Sequence, residues 1–386
     1  MPKLLIASTV AAAHRAFFLP FARHFRALGW RVDGIAAGIS RVPECRRAYD
    51  RIFEIHWSRN PLDWRNLGRA ASNLRRIVET EGYDIVHVHT PVAAFVTRYA
   101  LRPLRRSNRT RVIYTAHGFH FHSGGHPVKN ALFFSLERIA REWMDCLVVI
   151  NREDESAAKQ RLCLPPERVV YMPGIGVDLR TFNPDSISPQ KIKDVIEELR
   201  LSGDSKVFFM VAAFDPGKRH RDVVDALRLL QRKDIVLCFA GEGPTQMKTM
   251  DLVNGAGLAE QVRFLGFRED IPALMRIATA TVLPSEREGL PRSVLESLAM
   301  GVPVIGTDIR GVRDLLQEGA GILVPVGDIR KLAEALVFLA DNSQEACRMG
   351  QLGRQFIQKY SLDNVLRLHE ALYARVLQTP ASCEQT

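Results

Sequence analysis

Six cysteines in 386 residues, at 45, 146, 163, 238, 347 and 383, stand apart without a single C-x-x-C pair. That spacing makes neither a zinc site nor a disulfide framework, and it fits a reducing compartment. Missing too is any apolar run near the roughly 20 residues that span a bilayer. The opening "LLIASTVAAA" imitates a secretory signal, but the basic, helix-like "HRAFFLPFARHFRALG" follows at once, so Lys3 to Ser8 reads as a buried first strand. There is no D-x-D triplet, short repeat or low-complexity tract, and only "TPASCEQT" (379–386) reads as a flexible tail. What remains is the make-up of a soluble globular protein, 46% hydrophobic and 25% charged, long enough for two domains.

The charge is lopsided. Residues 1–178 hold 27 Lys and Arg against 16 Asp and Glu, or +11; the rest hold 26 against 27, or −1. The runs "RAFFLPFARHFR", "WRNLGRAASNLRR" and "RPLRRSNRTR" carry much of the excess. Any one of them is ordinary solvated helix surface, but the asymmetry as a whole points to an anionic partner. Phe17, Phe18, Phe21 and Phe25 interleave with Arg15, Arg23 and Arg26, a pattern suited to an anionic membrane surface, unless those rings are the core of a first helix.

Apolar runs alternate with helical stretches in two series. The first is "LLIAS", "RVDGIAA", "DIVHVHT", "RVIYTAH", "CLVVIN" and "RVVYMP"; the second is "KVFFMVAAF", "IVLCFAGEG", "VRFLGF", "ATVLPS", "VPVIGTD" and "GILVPV". Strands apolar throughout and separated by helices mean parallel sheets covered on both faces. The expected fold is therefore α/β, with two doubly wound, Rossmann-like domains facing across a cleft. The domains are 1–178 and 179–361, the segment "MPGIGVDLRTFNPDS" links them, and a final helix, 362–378, packs back on the first. Ligands in such folds sit beyond the carboxyl ends of the strands.

The motifs fall just there. In "EGLPRSVLE", Pro291 suits the first turn of a helix and Gly301 its stop, so amides of Arg292, Ser293 and Val294 form the positive helix end, a site for phosphate. Glu288 and Glu296 flank it. Carboxylates do not attract phosphate, so they are read as hydrogen-bond acceptors for hydroxyls on either side, a sugar on one and a ribose on the other. "FDPGKRH" offers Lys218 and Arg219 to a diphosphate, "AGEGP" a close approach at Gly241 and Gly243, and "FLGFRED" backbone near Phe267 and Arg268 for a base edge. In the first half, "YTAHGFHFHSGG" brings His117, His120 and His122 after a strand, without an acidic partner for a metal, and "VHVHTPVAA" adds His89.

In this order the pattern "GKRH"–"GEGP"–"FLGF"–"PSEREGLPRSVLESLAMGVPVI"–"GILVPVGD" resembles the family 4 (GT4) retaining glycosyltransferases of GT-B architecture, over almost all of the second half. The resemblance implies that Glu296 holds the ribose hydroxyls, Glu288 the donor sugar, Lys218 the diphosphate, and amides from Gly289 through Leu290, Pro291 and Arg292 to Ser293 face the sugar and phosphates. It also puts His117 near the donor sugar. Where most members carry glycine and arginine before the lysine, this chain has Ala212 and Ala213; Arg219, Arg292 or Arg310 are the candidates to replace that charge. The first loop, "STVAAAHRAF", with "HGFHFH" and "MPGIGVD", is similar to the exopolysaccharide, capsule and lipid-linked glycan branch, and sets Thr9, His14, His89 and His120 on the acceptor side.

The resemblance thus implies transfer of a sugar from a nucleoside diphosphate, such as UDP-HexNAc or UDP-hexose, to a membrane-borne glycan on a polyprenyl diphosphate. No cofactor, metal or nucleic acid is expected, and the expected place is the cytoplasm, peripheral at the inner face of the cytoplasmic membrane. Two other readings stay open: a nucleotide-sugar 2-epimerase of similar fold, and a non-catalytic partner subunit.

Overall fold

The computed structural model of the chain describes residues 1–58, 60, 63–122 and 124–378; the expected tail, 379–386, lies outside the described residues. The chain divides into two compact units, Met1–Ile175 with Val365 onward, and Gly176–Asn364. The division falls inside the Pro/Gly segment 172–186.

The first unit is built on one parallel sheet of seven strands: β1 (Lys3–Val10), β2 (Arg31–Ala37), β3 (Ile52–Glu54), β4 (Ile85–His89), β5 (Arg111–Ala116), β6 (Cys146–Val149) and β7 (Val169–Tyr171). Their order is β3-β2-β1-β4-β5-β6-β7. β4 and β5 are buried along their whole length, as the unbroken apolar runs require when helices cover both faces. The order reverses between β1 and β4, and in open α/β sheets ligands gather at such a reversal.

The second unit has six parallel strands: β8 (Lys206–Val211), β9 (Ile235–Ala240), β10 (Val262–Gly266), β11 (Ala280–Leu283), β12 (Val304–Thr307) and β13 (Gly321–Val324). Their order, β10-β9-β8-β11-β12-β13, reverses between β8 and β11. The helix Arg292–Ala299 follows β11 and buries Val294, Leu295 and Leu298 in the core with Leu283, Val304 and Leu315.

The first helix corrects one reading of the phenylalanines. The segment after β1 runs through a π-helical stretch, His14–Phe18, into the helix Leu19–Ala27. Phe18, Phe21 and Phe25 are buried. The core takes these rings because they recur at i, i+3 and i+7 on one helix face, so they cannot dip into a membrane. β3 is the strand the sequence did not announce. It is three residues long and only half-buried, too short for a periodic signal.

Candidate functional site

In the second unit, the loops after β8 and β11 meet at the sheet reversal. After β8 the chain makes a short 3-10 turn, Pro216–Lys218, capped by Asp215, whose carboxylate accepts from the Gly217 amide at 2.9 Å. The Gly217 carbonyl in turn accepts from the Glu286 amide of the β11 loop at 2.9 Å. This stitch brings Lys218 Nζ to Glu288 Oε1 at 2.5 Å. The two residues assigned to a diphosphate and a sugar are thus paired with each other, each half-buried.

Glu288 is held from the other side as well. Arg310, almost fully buried, donates from Nε to the Glu288 carbonyl at 3.3 Å. Gly311, at φ +76°, lies so close that a Cβ there would stand 2.0 Å from the Gly289 carbonyl oxygen. Thr307 donates to the Ser285 carbonyl at 2.6 Å. Arg287 keeps an exposed side chain and makes no hydrogen bond or ion pair among the described residues; partial desolvation and nearby Arg310 lower its pKa. Two guanidiniums and an ammonium thus lie near the Glu288 carboxylate, with Asp215 a second acid near Arg287.

Pro291 is the N-cap rather than part of the first turn, in extended conformation, and it offers no capping side chain. The positive helix end thus keeps first-turn amides without a protein side chain from that position to satisfy them. At the other end Gly301 takes φ +70°, and its amide and that of Val302 donate to the Leu298 and Ser297 carbonyls, both at 3.0 Å. Glu296 is almost fully buried, its pKa raised by that burial against the pull of Arg292, which donates to its Oε1 at 2.6 Å.

Other expected donor residues are placed differently. Arg219 spends its guanidinium on Asp222 (2.6 Å) and Glu286 (2.7 Å). Arg268 is clamped by Asp270 and Glu198 beside an exposed Phe267. The reading of Gly241 and Gly243 as room for a ligand needs correction. A Cβ on Gly241 would lie 2.0 Å from the Ala212 carbonyl oxygen, and one on Gly243 2.7 Å from that of Phe214. These glycines let the β9 loop cross the β8 loop, a demand that the sequence pattern alone does not distinguish from ligand approach.

In the first unit the reversal between β1 and β4 gathers histidines. His89, at the end of β4, shares a hydrogen bond between its Nδ1 and His117 Nε2 at 3.0 Å. Its ring is stacked between Phe18 and His87, at centroid distances of 4.1 and 4.3 Å. His87 is hydrogen-bonded to Tyr373 Oη (2.6 Å) and Thr115 Oγ1 (2.7 Å), and His369 completes the column. Burial holds His117 at a pKa of about 4 and lowers His87 and His89 as well, so at neutral pH the set is uncharged. Thr90, next in the chain, has φ +70°, an unusual conformation for a β-branched residue. It turns its hydroxyl to the Thr9 amide (3.1 Å) and Thr9 Oγ1 (2.6 Å).

Two acceptor-side expectations fail on burial. His14 is fully enclosed, with Tyr49 Oη at 2.7 Å on Nδ1 and the Ile35 carbonyl at 3.3 Å from Nε2, and its pKa falls to about 4. It is a satisfied core histidine. Thr9 is buried and committed to Thr90. His120 is half-buried with its ring on Phe133, at a centroid distance of 4.9 Å. The sequence reading missed Arg287, inside the motif it quoted, and His87 and His369, whose association across 282 positions (369 − 87) no local pattern encodes.

Comparison with known proteins matches two sequence-family profiles, "Glycosyl transferases group 1" over residues 191–356 and "Glycosyltransferase Family 4" over residues 17–180. EpsD of Bacillus subtilis (strain 168), whose name places it provisionally among glycosyltransferases, is 35% identical over 93% of both chains. The UDP-Gal:alpha-D-GlcNAc-diphosphoundecaprenol alpha-1,3-galactosyltransferase of Escherichia coli is 29% identical over 70% of both. Among solved structures, a glycosyltransferase from Rickettsia africae superposes with a TM-score of 0.83 at 18% identity, over 98% of this chain and 99% of that one. HepE of Anabaena in complex with UDP superposes with a TM-score of 0.79 at 17% identity, over 96% and 100%.

Proposed function

The chain belongs to the family 4 glycosyltransferases, and from that premise we propose that it is a retaining enzyme that moves a sugar from a UDP-sugar to a glycan carried on a polyprenyl diphosphate at the inner face of the cytoplasmic membrane. The observation that carries the donor half is the junction of Lys218, Glu288 and the amino end of the helix Arg292–Ala299 at the sheet reversal. The acceptor half is supported by the lipid-linked substrate in the name of the Escherichia coli relative.

On this reading the donor diphosphate draws Lys218 away from Glu288 and lies against the helix amides, leaving Glu288 to accept from hydroxyls of the sugar and Glu296 from those of the ribose. The bond between the anomeric carbon and the diphosphate oxygen breaks as the acceptor oxygen bonds to that carbon on the same face. The acceptor's proton passes to the departing phosphate oxygen. Lys218, Arg287, Arg310 and the amides face the charge that develops on the leaving group, where fixed donors are worth most. The His89–His117 pair of the first unit, neutral and held in place by stacking, offers hydrogen bonds without adding charge. No metal is assigned to any of these steps.

The test is transfer from a panel of radiolabelled UDP-sugars into detergent-dispersed bacterial lipid. Glu288→Ala is expected to lower turnover at least about 100-fold, the scale seen when one aligned group is lost, while UDP still raises the melting temperature. Chelation of divalent ions is expected to leave the parent rate unchanged. Turnover that survives in Glu288→Ala removes the role given to that carboxylate.

A further inference from the structure

The basic run "WRNLGRAASNLRR" forms a 3-10 turn, Trp64–Asn66, followed by the helix Arg69–Glu81. Different chemistry lies on the two sides of that turn. On one side, Arg65 joins His56, Arg69 and Arg76 around an open groove of about 680 Å³ with no acidic residue in its lining. The guanidiniums of Arg65 and Arg69 form no ion pair or hydrogen bond among the described residues, and that of Arg76 reaches only Asn73, at 3.0 Å. On the other side, Asn66 and Leu67 border a second, narrow hollow of about 20 Å³ between the helices Pro91–Arg106 and Pro127–Ala140, walled by Val92, Phe95, Phe133 and Leu136. Its one acid, Glu137, is neutralised by the buried Arg98 guanidinium at 2.9 Å.

Large apolar side chains stand out of the same surface. Trp64 is 76% exposed, Leu67 43%, and Val128, on the first turn of the second wall helix, 71%. An exposed tryptophan and leucine grouped with an apolar hollow are costly to show to water alone, and the arginines beside them outnumber the adjoining acid, Asp63, which caps the turn. They match an interface in which phosphates lie over hydrocarbon. Tryptophan settles at that depth, and each arginine near an anionic leaflet adds attraction. Among the described residues no helix is long and apolar enough to cross a membrane, so contact through this face would be peripheral.

We propose that this face, the turn Trp64–Asn66 with the groove of Arg65, Arg69 and Arg76 on one side and the Leu67–Phe95–Phe133 hollow on the other, docks the protein on an anionic bilayer, with lipid phosphates on the arginines and hydrocarbon against the hollow. The inference rests on the lipid-linked acceptor proposed above and names the surface that meets the lipid. The Pro91–Arg106 helix begins two residues after His89, so the hollow opens beside the carboxyl end of β4. A docked bilayer would therefore lie near the first unit's histidine column.

Sedimentation of the full chain with phosphatidylglycerol vesicles and, separately, phosphatidylcholine vesicles tests this. Binding is expected to phosphatidylglycerol and to be at least tenfold weaker to phosphatidylcholine. Arg65→Ala, Arg69→Ala and Arg76→Ala should each weaken it about fivefold, the equivalent of about 1 kcal/mol per basic side chain, and Trp64→Ser should weaken binding to both vesicles. The triple arginine variant should keep the parent's circular dichroism and its melting-temperature rise with UDP, so that the loss is not unfolding. Equal binding to the two lipids, a triple variant that binds like the parent, or tighter binding to a single-stranded oligonucleotide than to phosphatidylglycerol overturns the proposal. Sugar transfer measured in parallel in detergent separates the two readings. If the parent fails to transfer yet binds phosphatidylglycerol selectively, the acceptor assignment falls and the docking face stands; if it transfers but binds without lipid preference, the reverse holds.

Discussion

Glu296 is a carboxylate kept almost wholly out of water inside a helix, with one arginine to offset the cost. Burial raises its pKa. A carboxyl raised on folding penalises the ionised folded state; the penalty is complete above the folded pKa and is relieved as pH falls through it. A cost of this kind persists where function needs the charge. Glu296→Gln is therefore expected to raise the melting temperature of the ligand-free chain at pH 8, with the gain shrinking toward pH 5. Affinity for UDP should fall by about 10- to 100-fold, the range for one lost hydrogen bond to a charged group. Thermal shift with and without UDP at both pH values reads both effects. A variant that is destabilised at pH 8 and binds UDP as the parent does would make Glu296 a structural acid.

At the scale of the element, the β8 loop shows what could be read in the sequence and what could not. Lys218 was legible because strand, loop and lysine stand in order; its partner was not, since the pairing with Glu288 spans 70 positions and depends on β8 and β11 being neighbours. Gly241 and Gly243 misled for a similar reason: their role is to clear the backbone of Ala212 and Phe214, which only the assembled sheet reveals. Arg287 lay in plain view, yet a loop arginine carries no periodic or capping signal to separate it from solvated charge. Ala213, by contrast, is exposed at the head of the loop, so a long side chain fits there without displacing anything. Ala213→Arg is expected to change stability by less than about 0.5 kcal/mol. If the leaving diphosphate is stabilised at this loop, the substitution should raise kcat several-fold with little change in KM. Steady-state kinetics with a saturating acceptor measures it, and an unchanged or lower kcat would mean that the existing cations already meet the need.

Over the whole molecule, both parallel sheets were legible because their strands are apolar end to end, a pattern that only a sheet covered on both faces uses. The distribution of buried histidines was not legible, and it sets the two units apart. The first unit encloses His14, His87, His89, His117 and His369, all with pKa lowered by burial; in the second only His220 is so placed, again at about 4. A histidine neutral when folded and near 6.5 when unfolded favours the unfolded state in acid. The stability it allows is intact above about pH 6.5 and is lost as pH falls toward its folded pKa, by up to about 1.4 kcal/mol per pH unit for each such group. With five groups against one, acid should weaken the first unit well before the second. Hydrogen exchange read by mass spectrometry, corrected for intrinsic rates, is expected to show β4 and β5 losing protection between pH 7 and pH 5 while β8 and β9 keep theirs. Equal loss in both units would mean that the column takes up protons while still folded, and that its enclosure is looser than its stacking and hydrogen bonds imply.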